Sequence, residues 1–147
     1  MKQELTQTDA DNLIKMEKFY TGTEVFDFPS AGGNLRIPLH SADKREAFTL
    51  DVSRSKIVLE KNKLQTRARR TITLVRIDIG GPPHRNPDGA EVVCPHLHLY
   101  REGFDEKWAV LLPNVFTDPD NTVQTLREFM DYCKIITKHF IKTDLFT

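Results

Sequence analysis

The sequence of 147 residues has few cysteines, no long apolar run and no net charge. Its two cysteines, Cys94 and Cys133, are too few for the disulfide framework of a small secreted protein. No stretch approaches the roughly 20 apolar residues of a membrane-spanning helix. The polar start, MKQELTQTDADN, lacks the apolar segment of a secretory signal. These absences favour a cytoplasmic protein with reduced thiols and no membrane association.

Hydrophobic residues make up 39% of the chain and charged residues 29%, a mixture that supports a packed core and argues against global disorder. The length fits one ordinary domain, so we expect residues 1–147 to form a single domain. Local catalytic signatures are missing: there is no Gly-x-Ser-x-Gly, Cys-x-x-Cys or His-Glu-x-x-His pattern, and Gly80-Gly81 starts no phosphate-binding loop. Composition therefore limits the class of protein without specifying a function.

Two helices are predicted, one near each end of the chain. Thr8 and Asp11 suggest a capping box, and the amphipathic residues 8–20 predict a short helix within the N-terminal segment 1–20. Asp118-Pro119 is typical of a helix start, with aspartate as the cap and proline at the first helical position. The apolar stripe that follows predicts a C-terminal helix over 119–140.

The region between the helices predicts consecutive strands. Leu35 to Leu39 alternates at period two, and Pro38 within it indicates an edge strand because proline has no N–H to donate. Short connections favour antiparallel pairing. We therefore predict an α+β fold, mostly an antiparallel β-meander, with the C-terminal helix packed on the sheet. The other predicted strands are 48–52, 57–59, 67–79, 91–101 and 107–112, and the loop 80–89 is expected to contain neither helix nor strand. Within this loop, Asn86-Pro87-Asp88-Gly89 predicts a type I turn.

Residues 54–76, here called the basic block, carry eight basic side chains and one acidic side chain, whereas the flanking segments are net acidic. Such a concentration of positive charge attracts phosphate backbones or an acidic partner. The alternative is a solvated hairpin whose charges pair with the acidic flanks and protect a strand edge from aggregation. The candidate phosphate- or nucleic-acid-binding residues are Arg54, Lys56, Lys61, Lys63, Arg67, Arg69 and Arg70 of the block, and Arg101 outside it.

Strand parity brings polar side chains together on one face of the predicted sheet. Residues two apart in a strand share a face, so if the leucines of 95–101 face the core, the histidines and Tyr100 face away. The same rule places two charged residues of the preceding strand on this face, and the loop histidine folds over it. The candidate catalytic residues are therefore His84, His96, His98, Tyr100 and Arg76, with Asp78 beside them.

Three interpretations of the histidines remain open. His84, His96 and His98 are suitable ligands for one divalent metal with an open position, as in catalytic zinc sites. Without any cofactor, two imidazoles can act as general acid and base in RNA cleavage through the 2′-hydroxyl, with Arg76 or Arg101 stabilising the developing charge. In the third interpretation, the histidines are structural and orient the proline-rich loop.

The segment 80–112 contains a distinctive pattern. Pro-Pro-His-x-Asn-Pro-Asp-Gly occupies 82–89, followed by Pro-His-Leu-His at 95–98 and Tyr-Arg-Glu-Gly at 100–103. This pattern resembles a family of small bacterial proteins of unknown function, and the similarity extends over about residues 25–135. The resemblance implies a bacterial or mobile-element origin. It carries no known activity and assigns no role to any residue.

Three functions follow from these features as hypotheses. The first is a small cytoplasmic protein that uses the histidines to bind or cleave RNA or another phosphodiester, as a toxin-like ribonuclease does. The second is a non-enzymatic binding or inhibitor module with a protein partner, such as an anti-defence protein of a phage or mobile element. In that case the basic block docks on the partner and the histidines are structural. The third is a metal-dependent hydrolase with histidine ligands.

Overall fold

The computed structural model describes residues 4–57 and 61–142, which form an α+β fold as predicted. No helix in these two ranges is both long enough and apolar enough to cross a membrane. The described elements are α1 (Gln7–Lys15), β1 (Phe26–Asp27), β2 (Asn34–His40), β3 (Ala47–Arg54), β4 (Asn62–Ala68), β5 (Ile72–Ile79), β6 (His84–Arg85), β7 (Glu91–Val92), β8 (His96–Leu99), β9 (Ala109–Leu111), α2 (Thr122–Tyr132) and β10 (Ile141–Lys142).

The main sheet has six strands in the order β2-β3-β4-β5-β8-β9, and all neighbouring strands are antiparallel. This arrangement confirms the predicted β-meander. β2 is an edge strand, as Pro38 indicated. The meander is interrupted once, between β5 and β8, where the small hairpin β6–β7 projects from the sheet. β1 and β10 form a separate parallel pair.

One face of the sheet and both helices share a hydrophobic core. Alternate residues of the central strands, including Leu50, Leu64 and Ile77, are fully buried in it. Leu13 of α1 and Phe129 of α2 pack into the same cluster. Burying a side chain of this size stabilises the fold by about 1.5–3 kcal/mol. The intervening residues of the strands point to the opposite face, here called the polar face.

The alternation is broken by a β-bulge in β5. Thr66 of β4 lies opposite Val75, whereas the next residue, Arg67, lies opposite Thr73. Leu74 is therefore an extra residue in β5, and its side chain is buried in the core. A single inserted residue breaks the alternation because every side chain beyond it points to the opposite face from the one expected.

Both predicted helices begin or end at other residues. The cap of α1 is Thr6 and not Thr8, since the Thr6 hydroxyl accepts a hydrogen bond from the Asp9 N–H at 3.1 Å. The cap of α2 is Asn121 and not Asp118, since its side-chain oxygen accepts from the Gln124 N–H at 3.0 Å. α2 ends at Tyr132, well before residue 140, because Lys134 adopts a left-handed backbone with φ of 60°.

Several strand predictions also need correction. The strand predicted over 67–79 is divided by a turn at 69–71, so that its first residues belong to β4 and the rest to β5. The strand predicted over 91–101 is likewise divided into β7 and β8. Ile57 is 90% exposed and lies outside the strands, while Val58 and Leu59 of the predicted strand 57–59 lie outside the described residues. The loop 80–89 contains a strand after all, because His84 and Arg85 pair with β7. The predicted Asn-Pro-Asp-Gly turn closes this hairpin, and the Gly89 N–H donates to the Asn86 carbonyl at 2.8 Å.

A buried lysine, Lys18, joins the C-terminal ends of the two helices. Its Nζ donates to the carbonyls of Ile14 at 3.1 Å, Met16 at 2.8 Å and Cys133 at 2.8 Å. Its exposed fraction is 0%. Burial lowers the pKa of Lys18 to about 8, although the neighbouring Cys133 acts in the opposite direction.

Candidate functional site

Strand pairing places five polar residues in two adjacent rows across the sheet. Asp78 of β5 lies opposite His96 of β8, and Arg76 lies opposite His98. Lys63 of β4 lies opposite Asp78 and extends the first row. Residues directly opposite in an antiparallel pair project to the same side, so all five point to the polar face. The predicted parity of these histidines with Arg76 and Asp78 is confirmed.

The hairpin β6–β7 brings His84 to the same place. The Asn86 side-chain amide donates to the Ala109 carbonyl at 3.0 Å and its oxygen accepts from the Ala109 N–H at 2.8 Å. The His84 ring lies 4.6 Å from the His98 ring and 5.9 Å from the His96 ring, between centroids. The rings of His96 and His98 are 5.0 Å apart. These three residues, here called the histidine cluster, therefore meet as the sequence predicted.

A backbone carbonyl contacts one nitrogen of each ring in the cluster. His84 Nε2 lies 2.7 Å from the Lys107 carbonyl oxygen and His98 Nδ1 lies 2.7 Å from that of Glu106. His96 Nδ1 lies 3.3 Å from the Val93 carbonyl oxygen. A carbonyl only accepts, so each of these nitrogens carries the proton. In a neutral ring, the lone pair is then on the other nitrogen.

Asp78 is the anion beside the cluster. Its Oδ2 lies 3.3 Å from both His96 Nε2 and His98 Nε2. Arg76 donates from Nε to Oδ1 at 3.0 Å and from Nη2 to Oδ2 at 3.2 Å. Burial raises the pKa of the Asp78 carboxyl, but the hydrogen bond from His98 and the positive charge of Arg76 outweigh it and hold this pKa well below its ordinary value. Asp78 is therefore ionised at neutral pH.

A cleft of about 520 Å³ opens onto the cluster, a volume within the range of small-ligand sites. Asp78, His84 and His96 line one part of it. His84 is only partly buried, whereas His96 and His98 are 2% and 0% exposed, so His84 is the most accessible ring. The wall of the cleft also carries three side chains of the basic block, namely Arg54, Lys61 and Lys63.

Apart from Arg76, which contacts Asp78 and His98, the other basic side chains of the block lie elsewhere. Arg67 donates to both carboxylate oxygens of the buried Asp51, at 2.6 and 3.0 Å, and Arg69 pairs with Glu46 at 3.0 Å. These two arginines agree with the alternative interpretation of the basic block, in which its charges pair with acidic neighbours and do not bind phosphate. Lys56, Arg67, Arg69 and Arg70 do not contribute to the lining of the cleft in the described part of the chain.

The predicted position of Tyr100 on the polar face is wrong. β8 ends at Leu99, and the Tyr100 N–H donates to the carbonyl of the bulged residue, Leu74, at 2.9 Å. The Tyr100 ring is buried in the core, and its hydroxyl is bonded to the backbone of Leu5. Tyr100 is thus a core residue that cannot reach the cleft, and parity fails there because the regular strand has ended.

Arg101 also lies away from the cluster. Its guanidinium lies 4.2 Å from the centre of the Trp108 ring, which is only partly buried. Both residues line a second depression of about 390 Å³, beside α1. Support of the histidine cluster by Arg101 is therefore not possible in this arrangement.

Asn86 is the main contributor that the sequence analysis missed. The Asn-Pro-Asp-Gly pattern predicts a turn in which asparagine is favoured at the first position. In that turn the backbone carbonyl of Asn86 accepts the hydrogen bond from the Gly89 N–H. Nothing in the spacing indicated that the side chain also binds the edge strand β9. Asp78, which strand parity placed beside the histidines, contacts two of the three rings.

Comparison with known proteins identifies the family of the chain and no further relative. The model of a family of unknown function, DUF6978, matches residues 5–135, and the chain belongs to that family. The curated proteins contain no match, and neither do the solved structures. The resemblance inferred from segment 80–112, to a family of unknown function, agrees with this result.

Proposed function

We propose that this family member binds RNA or another phosphodiester in the cleft and cleaves it with the histidine cluster. One observation carries the proposal: two histidines of the cluster, His84 and His96, share one cleft with three cationic side chains of the basic block. Lys61 and Lys63 are exposed cations that attract a phosphate, and His84 is a partly exposed imidazole close by. Binding and proton transfer can therefore occur in a single site.

His84 is the residue we assign to proton transfer. Its Nε2–H is held by the Lys107 carbonyl, so Nδ1 of the neutral ring has the lone pair that accepts a proton. In RNA, Nδ1 takes the proton of the 2′-hydroxyl, the 2′-oxygen forms a bond to phosphorus, and the bond from phosphorus to the 5′-oxygen breaks. The leaving 5′-oxygen takes a proton from a water molecule in the open cleft, and the proton on Nδ1 then passes to the hydroxide that remains, which restores the water and the neutral His84 ring. The products are a cyclic phosphate and a 5′-hydroxyl, and no other reactant is needed.

Lys61 and Lys63 are assigned to phosphate binding. We expect Lys61→Ala and Lys63→Ala each to weaken binding of a single-stranded RNA and to lower the slope of log K against log salt by about 0.7, because each lysine releases counterions from one phosphate. A fluorescence anisotropy titration at several salt concentrations measures both effects. Lys56→Ala and Arg70→Ala are matched controls, since both residues are exposed members of the basic block outside the cleft lining.

Cleavage is tested separately from binding. His84→Ala should lower the rate of RNA cleavage by about 100-fold or more, the usual contribution of a general base, and leave RNA affinity near that of the wild type. His40→Ala is the matched control, because His40 is a partly buried histidine on β2 outside the cluster.

Two results would count against the proposal. Equal cleavage rates in the His84 and His40 variants would show that His84 of the histidine cluster takes no part in the reaction. RNA affinity that is weak and independent of Lys61 and Lys63 would leave the cleft without its proposed ligand, and capture of a protein partner would then test the binding-module hypothesis.

A further inference from the structure

We propose that Asp78, His96 and His98 form a binding site for one divalent transition-metal ion, with zinc as the best fit. Their ligand atoms all lie within 4.8 Å of one another, and no other such group of histidine, cysteine, aspartate or glutamate was found in residues 4–57 and 61–142. This set differs from the predicted triad of histidines, because Asp78 takes the place of His84. The metal site does not depend on the phosphodiester proposal, since its geometry is independent of any substrate.

The distances match those within a coordination sphere. Two ligands bound about 2.0–2.1 Å from a tetrahedral zinc ion lie roughly 3.3–3.4 Å from each other. The Oδ2 atom of Asp78 lies 3.3 Å from His96 Nε2 and 3.3 Å from His98 Nε2. Each imidazole nitrogen therefore already has the separation from the carboxylate oxygen that a shared ion requires, and all three ligand atoms lie within 4.8 Å of one another.

The carbonyl groups at Nδ1 leave Nε2 of both rings for a metal. Nδ1 of His98 faces the Glu106 carbonyl and Nδ1 of His96 faces the Val93 carbonyl, so in the neutral, metal-binding form both lone pairs are on Nε2. The ion then replaces the proton with which His98 is hydrogen-bonded to Asp78. A carbonyl on the opposite nitrogen is the usual second partner of a ligating histidine, since it fixes the tautomer and the ring orientation. Both Nε2 atoms point at the same carboxylate oxygen, which places the ion between these three atoms.

Arg76 competes with the ion and also supports it. Its Nη2 lies 3.1 Å from His98 Nε2 and 3.2 Å from Asp78 Oδ2, so it supplies positive charge at this position. Its Nε holds Asp78 Oδ1 at 3.0 Å, on the side of the carboxylate that the ion does not use. Metal binding therefore requires that Nη2 leave both His98 Nε2 and Asp78 Oδ2, while Nε continues to orient the carboxylate through Oδ1.

The ligand set selects the class of metal. Two imidazoles and one carboxylate suit zinc and its first-row neighbours, whereas magnesium and calcium prefer oxygen ligands alone. Asp78 and His96 line the cleft, so an ion held by them would lie at its wall. An ion here would be available to a water molecule or a phosphate oxygen.

The test is a calorimetric titration of Zn²⁺ into the full chain after removal of metals with a chelator. We expect one ion per chain. Asp78→Asn and His98→Gln should each weaken binding by at least about 100-fold, because each removes a ligand while keeping a similar shape. His84→Gln and His40→Gln are the matched controls, and both should bind Zn²⁺ as the wild type does.

Two further measurements keep the result decisive. Circular dichroism identifies any variant that fails to fold, and the ¹⁵N signals of the His96 and His98 rings in the wild type should shift at Nε2 on addition of Zn²⁺. Substoichiometric zinc, an unchanged affinity in folded Asp78 and His98 variants, or unshifted Nε2 signals would overturn the inference. RNA cleavage that survives chelation would show that the reaction needs no metal and would leave the phosphodiester proposal intact. Zinc binding without RNA binding would support the metal site and contradict the phosphodiester proposal.

Discussion

At the scale of single residues, the Tyr100 hydroxyl tests whether Tyr100 contributes to stability in the core or to the candidate site. It donates to the Leu5 carbonyl and accepts from the Leu5 N–H, both at 2.9 Å. Tyr100→Phe leaves both backbone groups buried without a partner, so we expect the free energy of unfolding to fall by about 1–3 kcal/mol. Urea denaturation of the variant and the wild type measures this difference.

The same variant separates stability from activity. Because the ring lies in the core and not in the cleft, the folded Tyr100→Phe protein should bind and cleave RNA at the wild-type rate. A much lower rate of RNA cleavage with an unchanged free energy of unfolding would show that Tyr100 acts in the site, which would contradict the structure.

The period-two rule explains why some site residues could be predicted and one could not. It correctly placed His96, His98, Arg76 and Asp78 on one face, because these residues lie in regularly paired segments of β5 and β8. It failed at Tyr100, one residue beyond the end of β8 and next to a bulged leucine. A bulge adds a residue without changing the apolar character of the sequence, so composition alone does not reveal it.

At the scale of elements, the hairpin β6–β7 is held on the sheet by the Asn86 side chain. Asn86→Ala removes both hydrogen bonds to Ala109, so we expect the hairpin to detach and His84 to leave the cluster. Amide hydrogen exchange of Ala109 should accelerate, and RNA cleavage should fall, while the exchange of β3 and β4 stays unchanged.

A control for this variant lies in the same hairpin. Asp88→Ala removes an exposed side chain that accepts only from the Ala90 N–H, at 3.0 Å. It changes the turn without touching β9. If both variants accelerate exchange at Ala109 equally, the Asn86 contact is not what holds the hairpin.

The element boundaries show a similar division between what the sequence predicts and what it does not. Periodicity correctly gave the existence and order of both helices and the antiparallel sheet. The caps were displaced because Thr6 competes with Thr8, and Asn121 with Asp118, and each is a good N-cap by its side chain. The choice between them depends on packing, which is a tertiary effect.

At the scale of the whole molecule, Lys18 makes stability depend on pH. The ordinary pKa of lysine is 10.5, and burial lowers that of Lys18 to about 8 in the folded protein. Above pH 8 the unfolded chain therefore binds more protons than the folded chain, so stability rises with pH, by up to about 1.4 kcal/mol per unit. Burial raises the pKa of Cys133 from 9.0 to about 12, which opposes this rise from pH 9 upward.

We therefore expect the free energy of unfolding to increase between pH 8 and pH 9 in the wild type. Lys18→Met should abolish this increase, whereas Lys15→Met, an exposed lysine of α1, should retain it. Urea denaturation at the two pH values measures the slope for each protein. The same increase in the Lys18 variant would show that another group is responsible.

The connections of the meander have a consequence for the order of folding. β2, β3, β4 and β5 are joined by short segments, whereas β5 and β8 are separated by residues 80–95, which include the hairpin. Closing a longer loop costs more entropy, so the β5–β8 pairing is expected to form after the neighbouring hairpins. That pairing unites Asp78 with His96 and Arg76 with His98. The candidate site is thus absent from partly folded chains, including one still emerging from the ribosome before β8 has been made.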